Sequence, residues 1–196
     1  LKLWHDIEEN KASSHHKFGL QAMDANQWRF LRLRPQNFPH IRIAQLAHLY
    51  YEQRAGLSQL LECESVKQVR ELLATQVTRY WETHYVFGEE SVKSEKKLSA
   101  ASLNLQIINT VAPILFAYGK HKNAEKYCER AFDFLETLKA EENHIVRMWK
   151  EVGLMVETAG DSQALIQLKK EYCDRKDCLR CRIGYEYLKG NSSIKG

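Results

Sequence analysis

One stretch decides the fold class of this 196-residue chain: Ala100-Ala-Ser-Leu-Asn-Leu-Gln-Ile-Ile-Asn-Thr-Val-Ala-Pro-Ile-Leu-Phe-Ala-Tyr-Gly119. Its apolar residues recur at helix spacing, which predicts a long helix from about residue 100 to residue 118. Pro113 predicts a kink, because the proline ring clashes with the carbonyl four residues earlier. Gly119 ends the helix and residues 123–138 supply a returning one, so the pair predicts an antiparallel hairpin.

Helical patterns continue on both sides of that hairpin. Residues 144–158 and 162–172 predict a second hairpin, and Ser65 with Gln68 has the spacing of a capping box at a helix start. The hairpins resemble a tetratricopeptide unit only faintly, since their offset does not suit a regular array and no third copy follows. We therefore predict an all-α fold without strands, an irregular multi-helix bundle built of antiparallel helical hairpins.

The domain organisation follows from length and polarity. The chain has the length of a single domain, so residues 1–196 are predicted to form one helical domain. Residues 88–99 are the most polar segment and are predicted to be a mobile loop. The chain starts without Met inside an amphipathic pattern of Leu3, Trp4 and Ile7, so we expect it to be part of a longer protein.

Composition narrows the function classes. A net charge of +4 is too small to indicate whether the partner is a polyanion.

The odd number of cysteines argues against a disulfide framework, and a reducing compartment, the cytoplasm, is therefore predicted. The longest apolar run, residues 107–118, is interrupted by polar residues and Pro113, so no membrane partner is expected. No phosphate loop, zinc-protease helix or nucleophile elbow occurs, and Glu82 with His84 lies in an aromatic run typical of packing. We predict no catalytic residue in this chain.

Three of the five cysteines lie close together near the end of the chain, as Cys173, Cys178 and Cys181 in a Cys-x4-Cys-x2-Cys pattern. Cys173 is predicted to close one helix, and the other two to occupy the first turn of the last helix, where residues three apart share a face. Three thiolates suit zinc with a fourth ligand, and plant-type iron–sulfur proteins use the same spacing for three of their four ligands. The pattern predicts a zinc or iron–sulfur site.

An alternative to metal remains open at this cluster. The sequence identifies no fourth ligand, and the candidates that the fold would have to bring near are Cys63, Cys128, His121 and His144. The three cysteines can instead be small apolar groups that fix the last helix, because free cysteine is among the most buried residue types. Under both interpretations the cluster fastens the C-terminal turn.

A second candidate site is the stretch Trp28-Arg-Phe-Leu-Arg-Leu-Arg-Pro-Gln-Asn-Phe-Pro-His-Ile-Arg42. Its prolines predict an extended loop that leads into a helix N-terminus. Guanidinium groups can contact phosphates while ring faces stack bases, so the stretch is a candidate nucleic-acid surface. The alternative is that the rings anchor the loop on the core and the arginines bond nearby acceptors. The residues predicted to bind nucleic acid are Arg29, Arg32, Arg34, His40 and Arg42.

Four blocks of the chain resemble a known family. They are residues 32–47, which include Arg-Pro-Gln-Asn-Phe-Pro-His-Ile-Arg, residues 80–88, which read Tyr-Trp-Glu-Thr-His-Tyr-Val-Phe-Gly, and residues 108–119 and 162–184. The resemblance is to the uncharacterised bacterial family called domain of unknown function family 2851, which has no established activity. It implies that this chain corresponds to the C-terminal half of a longer protein. The other half is similar to restriction-endonuclease-like sequences, and none of its catalytic residues carries over.

Two functions of different classes follow. The first is a helical accessory or interaction domain, without catalysis of its own, whose partner is an N-terminal domain of the same polypeptide. The second is a nucleic-acid-binding module that assists that nuclease-like domain. Retention of DNA or RNA at low salt, where phosphate contacts are strongest, separates the two.

Overall fold

The computed structural model describes residues 30–52 and 56–189, together with Gly19, Asp24, Gln27 and Trp28. The opening predicted around Leu3 and one predicted nucleic-acid contact, Arg29, lie outside the described residues. The described chain is mainly helical and its strands form a single two-stranded sheet, which confirms the predicted all-α, multi-helix fold.

Nine α-helices and one small β-hairpin make up the described fold. In the first half lie α1 (Pro39–Tyr51), α2 (Leu57–Glu62), α3 (Val66–Leu73), α4 (Arg79–Glu82) and the antiparallel strands β1 (His84–Val86) and β2 (Glu89–Glu90). In the second half lie α5 (Ala100–Lys122), α6 (Glu125–Thr137), α7 (His144–Glu151), α8 (Ala159–Leu168) and α9 (Arg182–Leu188). The strands are a difference from the strand-free prediction. They are so short that no alternating pattern marks them in the sequence.

The predicted hairpin of α5 and α6 forms the centre of the core. Leu115 of α5 and Phe134 of α6 are almost wholly buried in one apolar cluster, which also contains Val69 of α3. Asn123 ends α5 in the left-handed conformation, with φ of 51°, and its backbone N–H bonds the last turn. Gly119 lets the two helices approach closely, since a Cβ there would lie 2.7 Å from the Cys128 Sγ.

Helix α5 passes its internal proline by widening. Residues Ile107–Val111 form a π-helical segment, and the Ala112 N–H bonds the Ile107 carbonyl five residues earlier. This wider turn immediately precedes Pro113, where an α-helical turn would bring the ring against a carbonyl. The irregularity that the sequence predicted as a kink is therefore a π segment in the middle of the core helix.

Two local predictions in the first half have different outcomes. The capping box is confirmed, because the Ser65 side chain accepts from the Gln68 N–H and the Gln68 side chain from the Ser65 N–H. The polar segment 88–99 makes several hydrogen bonds, and Lys96 within it is only 3% exposed. The Lys96 ammonium donates to the Glu82 carbonyl at 2.8 Å and lies over the Tyr85 ring. The mobility of the segment stays a prediction.

Among the described residues, α5 is the one helix that could cross a membrane by length and composition alone. It has 23 residues, several more than the apolar run predicted from the sequence. Core helices of globular proteins meet the same criteria. The part of α5 from the π segment onward packs against α6, and its first part contacts α3. One third of its most apolar window is buried.

Candidate functional site

The three clustered cysteines lie on a short turn between α8 and α9, which we call the thiol turn (residues 173–181). A π-helical segment, Lys169–Cys173, extends α8 up to Cys173 as predicted. Lys176 then adopts the left-handed conformation, with φ of 55°, and the Asp177 N–H bonds the Tyr172 carbonyl at 2.9 Å. Helix α9 begins only at Arg182, so Cys181 is its N-cap and Cys178 precedes it, later than the sequence predicted.

Close backbone packing holds the thiol turn against α9. A Cβ at Gly184 would lie 2.7 Å from the Cys178 carbonyl oxygen and 3.0 Å from its Cα. The Cys181 N–H bonds the Asp177 carbonyl, and the Tyr185 N–H bonds the Cys181 carbonyl at 2.7 Å. Glycine at residue 184 thus allows one turn of chain to lie directly on the last helix.

The thiols themselves are close enough to influence one another. Burial raises the pKa of the Cys173 thiol, and the neighbouring Cys181 and Cys178 raise it further, while Lys169 opposes them. Cys181 is buried, whereas Cys173 and Cys178 are exposed and all three are free. No group of three or more His, Cys, Asp or Glu side chains in the described residues is arranged to hold a metal ion. The zinc or iron–sulfur site stays a prediction.

The candidates for a fourth ligand are occupied or exposed elsewhere. The Cys63 thiol donates to the Gln59 carbonyl in α2, and burial raises its pKa. The Cys128 thiol of α6 donates a hydrogen bond to the Phe116 carbonyl of α5 at 3.6 Å. His121 and His144 are exposed at the end of α5 and the start of α7.

The predicted nucleic-acid stretch divides into two parts. Arg32 and Arg34 are exposed on the loop of residues 30–38, which we call the arginine loop, and no described residue forms an ion pair with either. Arg32 takes the left-handed conformation, with φ of 64°. Arg42, in contrast, lies half-buried on α1, with its guanidinium bonded to Asn37 and Gln45. Arg42 therefore differs from the exposed pair in its burial and in its hydrogen bonds.

Aromatic rings anchor the arginine loop on the rest of the fold. The His40 ring lies 5.2 Å from the Phe30 ring and 5.6 Å from the Phe87 ring, between centroids. Its Nδ1 is buried without a hydrogen-bond partner among the described residues. A pocket of about 340 Å³ opens beside the loop and is lined by Trp28, Phe30, Pro39, His40 and Ile43. The rings therefore anchor the loop and also line a pocket.

A larger cleft was not predicted from the sequence. It has a volume of about 560 Å³ and lies between α1, α2, α3 and the π segment of α5; we call it the Arg42 cleft. Leucine, isoleucine and valine side chains make up most of its lining, with Arg42 on one wall. The residues come from five separate stretches, so no local motif signals the cleft.

Glu82 and His84, in the aromatic run of residues 80–87, make separate contacts and do not bond each other. The His84 Nδ1 lies 2.9 Å from the Tyr80 carbonyl, and its ring stacks on the Tyr80 ring at 4.0 Å. The Glu82 carboxylate instead pairs with Lys93 at 3.0 Å. The Tyr80–His84 contacts hold α4 against the start of β1.

The fold and these sites define an all-α helical protein with an exposed thiol turn and a separate apolar cleft. The chain belongs to the family described as protein of unknown function, DUF2851, whose model matches residues 6–144. Arg32, Arg34 and Arg42 lie inside the match, whereas the thiol turn lies beyond it. Comparisons with curated proteins and with solved structures each found no match.

Proposed function

We propose that this chain is a helical interaction domain, without catalytic activity of its own, that packs against a protein partner. The observation that carries the proposal is an exposed apolar face on the last helix, which no other described part of the chain buries. Ile183, Tyr187 and Leu188 of α9, with Leu179 just before it, are all exposed, and we call them the α9 face. No residue of α9 is buried. An exposed apolar patch of this kind is typical of a protein-interaction site.

The charges around the α9 face indicate how a partner would be held. Arg182 pairs with Glu186 at 2.9 Å, and Arg180 lies 3.4 Å from Asp177. Because each of these cations already has a local carboxylate, they attract a charged partner only weakly. Apolar burial is therefore the expected source of affinity. The partner we propose is the N-terminal part of the same polypeptide, as the family resemblance implies.

Side-chain footprinting tests this proposal. Hydroxyl-radical labelling of Ile183, Tyr187 and Leu188 should fall severalfold in the natural polypeptide that contains this chain, compared with residues 1–196 alone. Met155 is equally exposed on the loop before α8 and serves as the internal control, with no change expected. Equal labelling of the α9 face in the two proteins would reject the proposed partner.

A second candidate function is nucleic-acid binding, which one observation favours. Arg32 and Arg34 are exposed and form no ion pair with a described residue, and they lie between Trp28 and His40 in the chain, whose rings line a pocket with the Phe30 ring. Proteins that bind single strands combine cationic groups for the backbone with ring faces for the bases. Residues 28–40 supply both kinds of group.

A gel-shift titration at low and moderate salt tests the second candidate. The double variant R32Q/R34Q should weaken binding of single-stranded oligonucleotides and lower its salt dependence by about two phosphate contacts. The matched control R175Q/R180Q removes two arginines that have carboxylate partners at 2.7 and 3.4 Å and should bind as the parent does. Identical affinity of parent and R32Q/R34Q at every salt concentration would exclude the arginine loop.

A further inference from the structure

The Arg42 cleft has the size and lining of a small-molecule site. Its volume of about 560 Å³ falls within the range of ligand pockets, which are lined mainly by apolar side chains with a few fixed polar groups. Leu60 of α2, Leu73 of α3, and Val111 and Ile114 of α5 supply the apolar lining on the side opposite α1. Among the described lining residues, Arg42 alone carries a charge.

The Arg42 guanidinium is held in place by two amide side chains. Its Nη1 donates to the Gln45 Oε1 at 3.0 Å, and its Nη2 donates to the Asn37 Oδ1 at 2.6 Å. The Gln45 amide is itself fixed, because its Nε2 donates to the Lys96 carbonyl at 2.7 Å and the side chain is almost wholly buried. Only one amide orientation satisfies both bonds, so Gln45 presents its oxygen to Arg42. The guanidinium is thereby preorganised at the wall of the cleft.

These contacts satisfy donors of Arg42 without balancing its charge. Both acceptors are neutral amides, and no described carboxylate forms an ion pair with Arg42. Burial lowers the pKa of the Arg42 guanidinium, which agrees with its partial removal from water. A cation in apolar surroundings normally has an anionic partner, because desolvation without one is costly. Two of the five donors of a guanidinium are used here, so others remain for an anion.

We propose that the Arg42 cleft binds a medium-chain amphiphile that carries a carboxylate. The carboxylate pairs with the Arg42 guanidinium, whose planar fork matches it, and the alkyl chain lies among Leu60, Leu73, Val111 and Ile114. This binding activity goes beyond the proposed interaction domain, and the α9 face takes no part in it. Failure of one proposal leaves the other intact.

Calorimetric titration of residues 1–196 with octanoate and with 1-octanol tests the site. The two probes share an alkyl chain and differ in the head group that would meet Arg42. In the parent protein both should bind. R42Q should weaken octanoate by about ten- to a hundredfold, the range for a charge-assisted hydrogen bond, and 1-octanol by less than threefold. R42K should retain part of the octanoate affinity, because it keeps the charge and loses the fork.

Two further variants make the result interpretable. R70Q removes a guanidinium that bonds the Asn104 side chain outside the cleft and should leave both affinities unchanged. I114W should fill the cleft from its rim and weaken both probes, while a thermal melt confirms that the variant folds. No octanoate binding by the parent, equal losses for both probes in R42Q, or full octanoate affinity in I114W would each overturn the proposal.

Discussion

The α5–α6 hairpin and the segment from the thiol turn to α9 use the same local device with opposite results. In each, a helical glycine lets a cysteine-bearing turn or helix approach closely: Gly119 meets Cys128, and Gly184 meets Cys178. Cys128 is 1% exposed inside the core, whereas Cys178 is exposed. A glycine contact is therefore enough to bring two helical elements together. Whether the cysteine at that contact is buried depends on whether other parts of the fold pack over it.

The largest expected effect is the difference in unfolding free energy between a buried ring of α6 and an exposed ring of α9. Phe134→Ala in α6 should lower the free energy of unfolding by about 3–5 kcal/mol, because it removes a ring that is only 2% exposed and leaves a cavity. The matched variant Tyr187→Ala in α9 should change it by less than about 0.5 kcal/mol, since that ring is 81% exposed. Urea unfolding of residues 1–196 measures both. Similar losses in the two variants would contradict the comparison.

The glycine in the core should tolerate substitution less than a glycine beside a flexible neighbour. Gly119→Ala places a Cβ 2.7 Å from the Cys128 Sγ and 3.0 Å from the Ala124 carbonyl, so we expect a loss of about 1–3 kcal/mol. Gly160→Ala, in α8, meets only the end of the Glu136 side chain, which can move away. That control should be neutral or stabilising by up to about 1 kcal/mol. Thermal melts of the pair supply the measurement.

Thiol labelling compares the two cysteine environments directly. Cys178 should react with a thiol reagent on the order of a hundredfold faster than Cys128, whose reaction requires the core to open. Because the pKa of Cys173 is raised, its labelling should continue to speed up as the pH rises beyond about 8.5, the ordinary cysteine pKa. Mass spectrometry of the labelled peptides follows each residue. Equal rates for Cys128 and Cys178 would mean that the core hairpin opens freely.

Metal analysis decides between the two interpretations of the thiol turn. If Cys173, Cys178 and Cys181 ligate metal as the sequence predicts, protein purified with and without oxygen should hold about one equivalent of zinc or an iron–sulfur cluster. Cys173→Ser should then release it, and Cys63→Ser, at the end of α2 where the thiol bonds the Gln59 carbonyl, should retain it. Less than about a tenth of an equivalent in both preparations rejects the metal interpretation and leaves packing.

The smallest expected effect is electrostatic and lies at the start of α8. Hydrogen bonds from the backbone N–H groups of Thr158 and Glu157 hold the pKa of the Asp161 carboxyl below its usual value. The resulting stabilisation is fully present above the unfolded pKa of about 3.9 and is lost as the pH falls through the lower folded pKa. Asp161→Asn should cost about 0.5 kcal/mol near neutral pH after solvent screening, and nothing near pH 2.

Denaturation midpoints across that pH range measure the Asp161 contribution. Asp133→Asn, an exposed change on α6, is the matched control. A constant difference between parent and Asp161→Asn from pH 7 to pH 2 would show that the capping bonds do not depend on the carboxylate charge.

The start of one helix could be predicted from the sequence and the start of another could not, and the reason is physical. The start of α3 at Ser65 was predictable, because a capping box is formed by residues three apart. The late start of α9 was not, because the bond from the Asp177 N–H to the Tyr172 carbonyl and the contact of Gly184 with Cys178 extend the turn. Turns set by packing leave a weaker local signal than caps do.

The candidate sites also divide into features set by nearby residues and features set by distant ones. Arg32, Arg34, His40 and Arg42 form one run in the sequence, yet of these four only Arg42 lines the larger cleft. The Arg42 side chain is held there by Asn37 and Gln45, and Gln45 depends on the Lys96 carbonyl 51 residues away. Likewise, nothing near Lys96 in the polar segment indicates that its side chain is buried over Tyr85.

By itself, the sequence determined the all-α class, the hairpin of α5 and α6, and the grouping of three cysteines at one turn. These features rest on helix periodicity, capping and spacing, all of which act over a few residues. Tertiary structure alone decided that α5 widens into a π segment, that α9 keeps an apolar face, and that Arg42 meets an apolar cleft. Those outcomes depend on which distant surfaces exclude water from one another, and no short stretch of sequence contains that information.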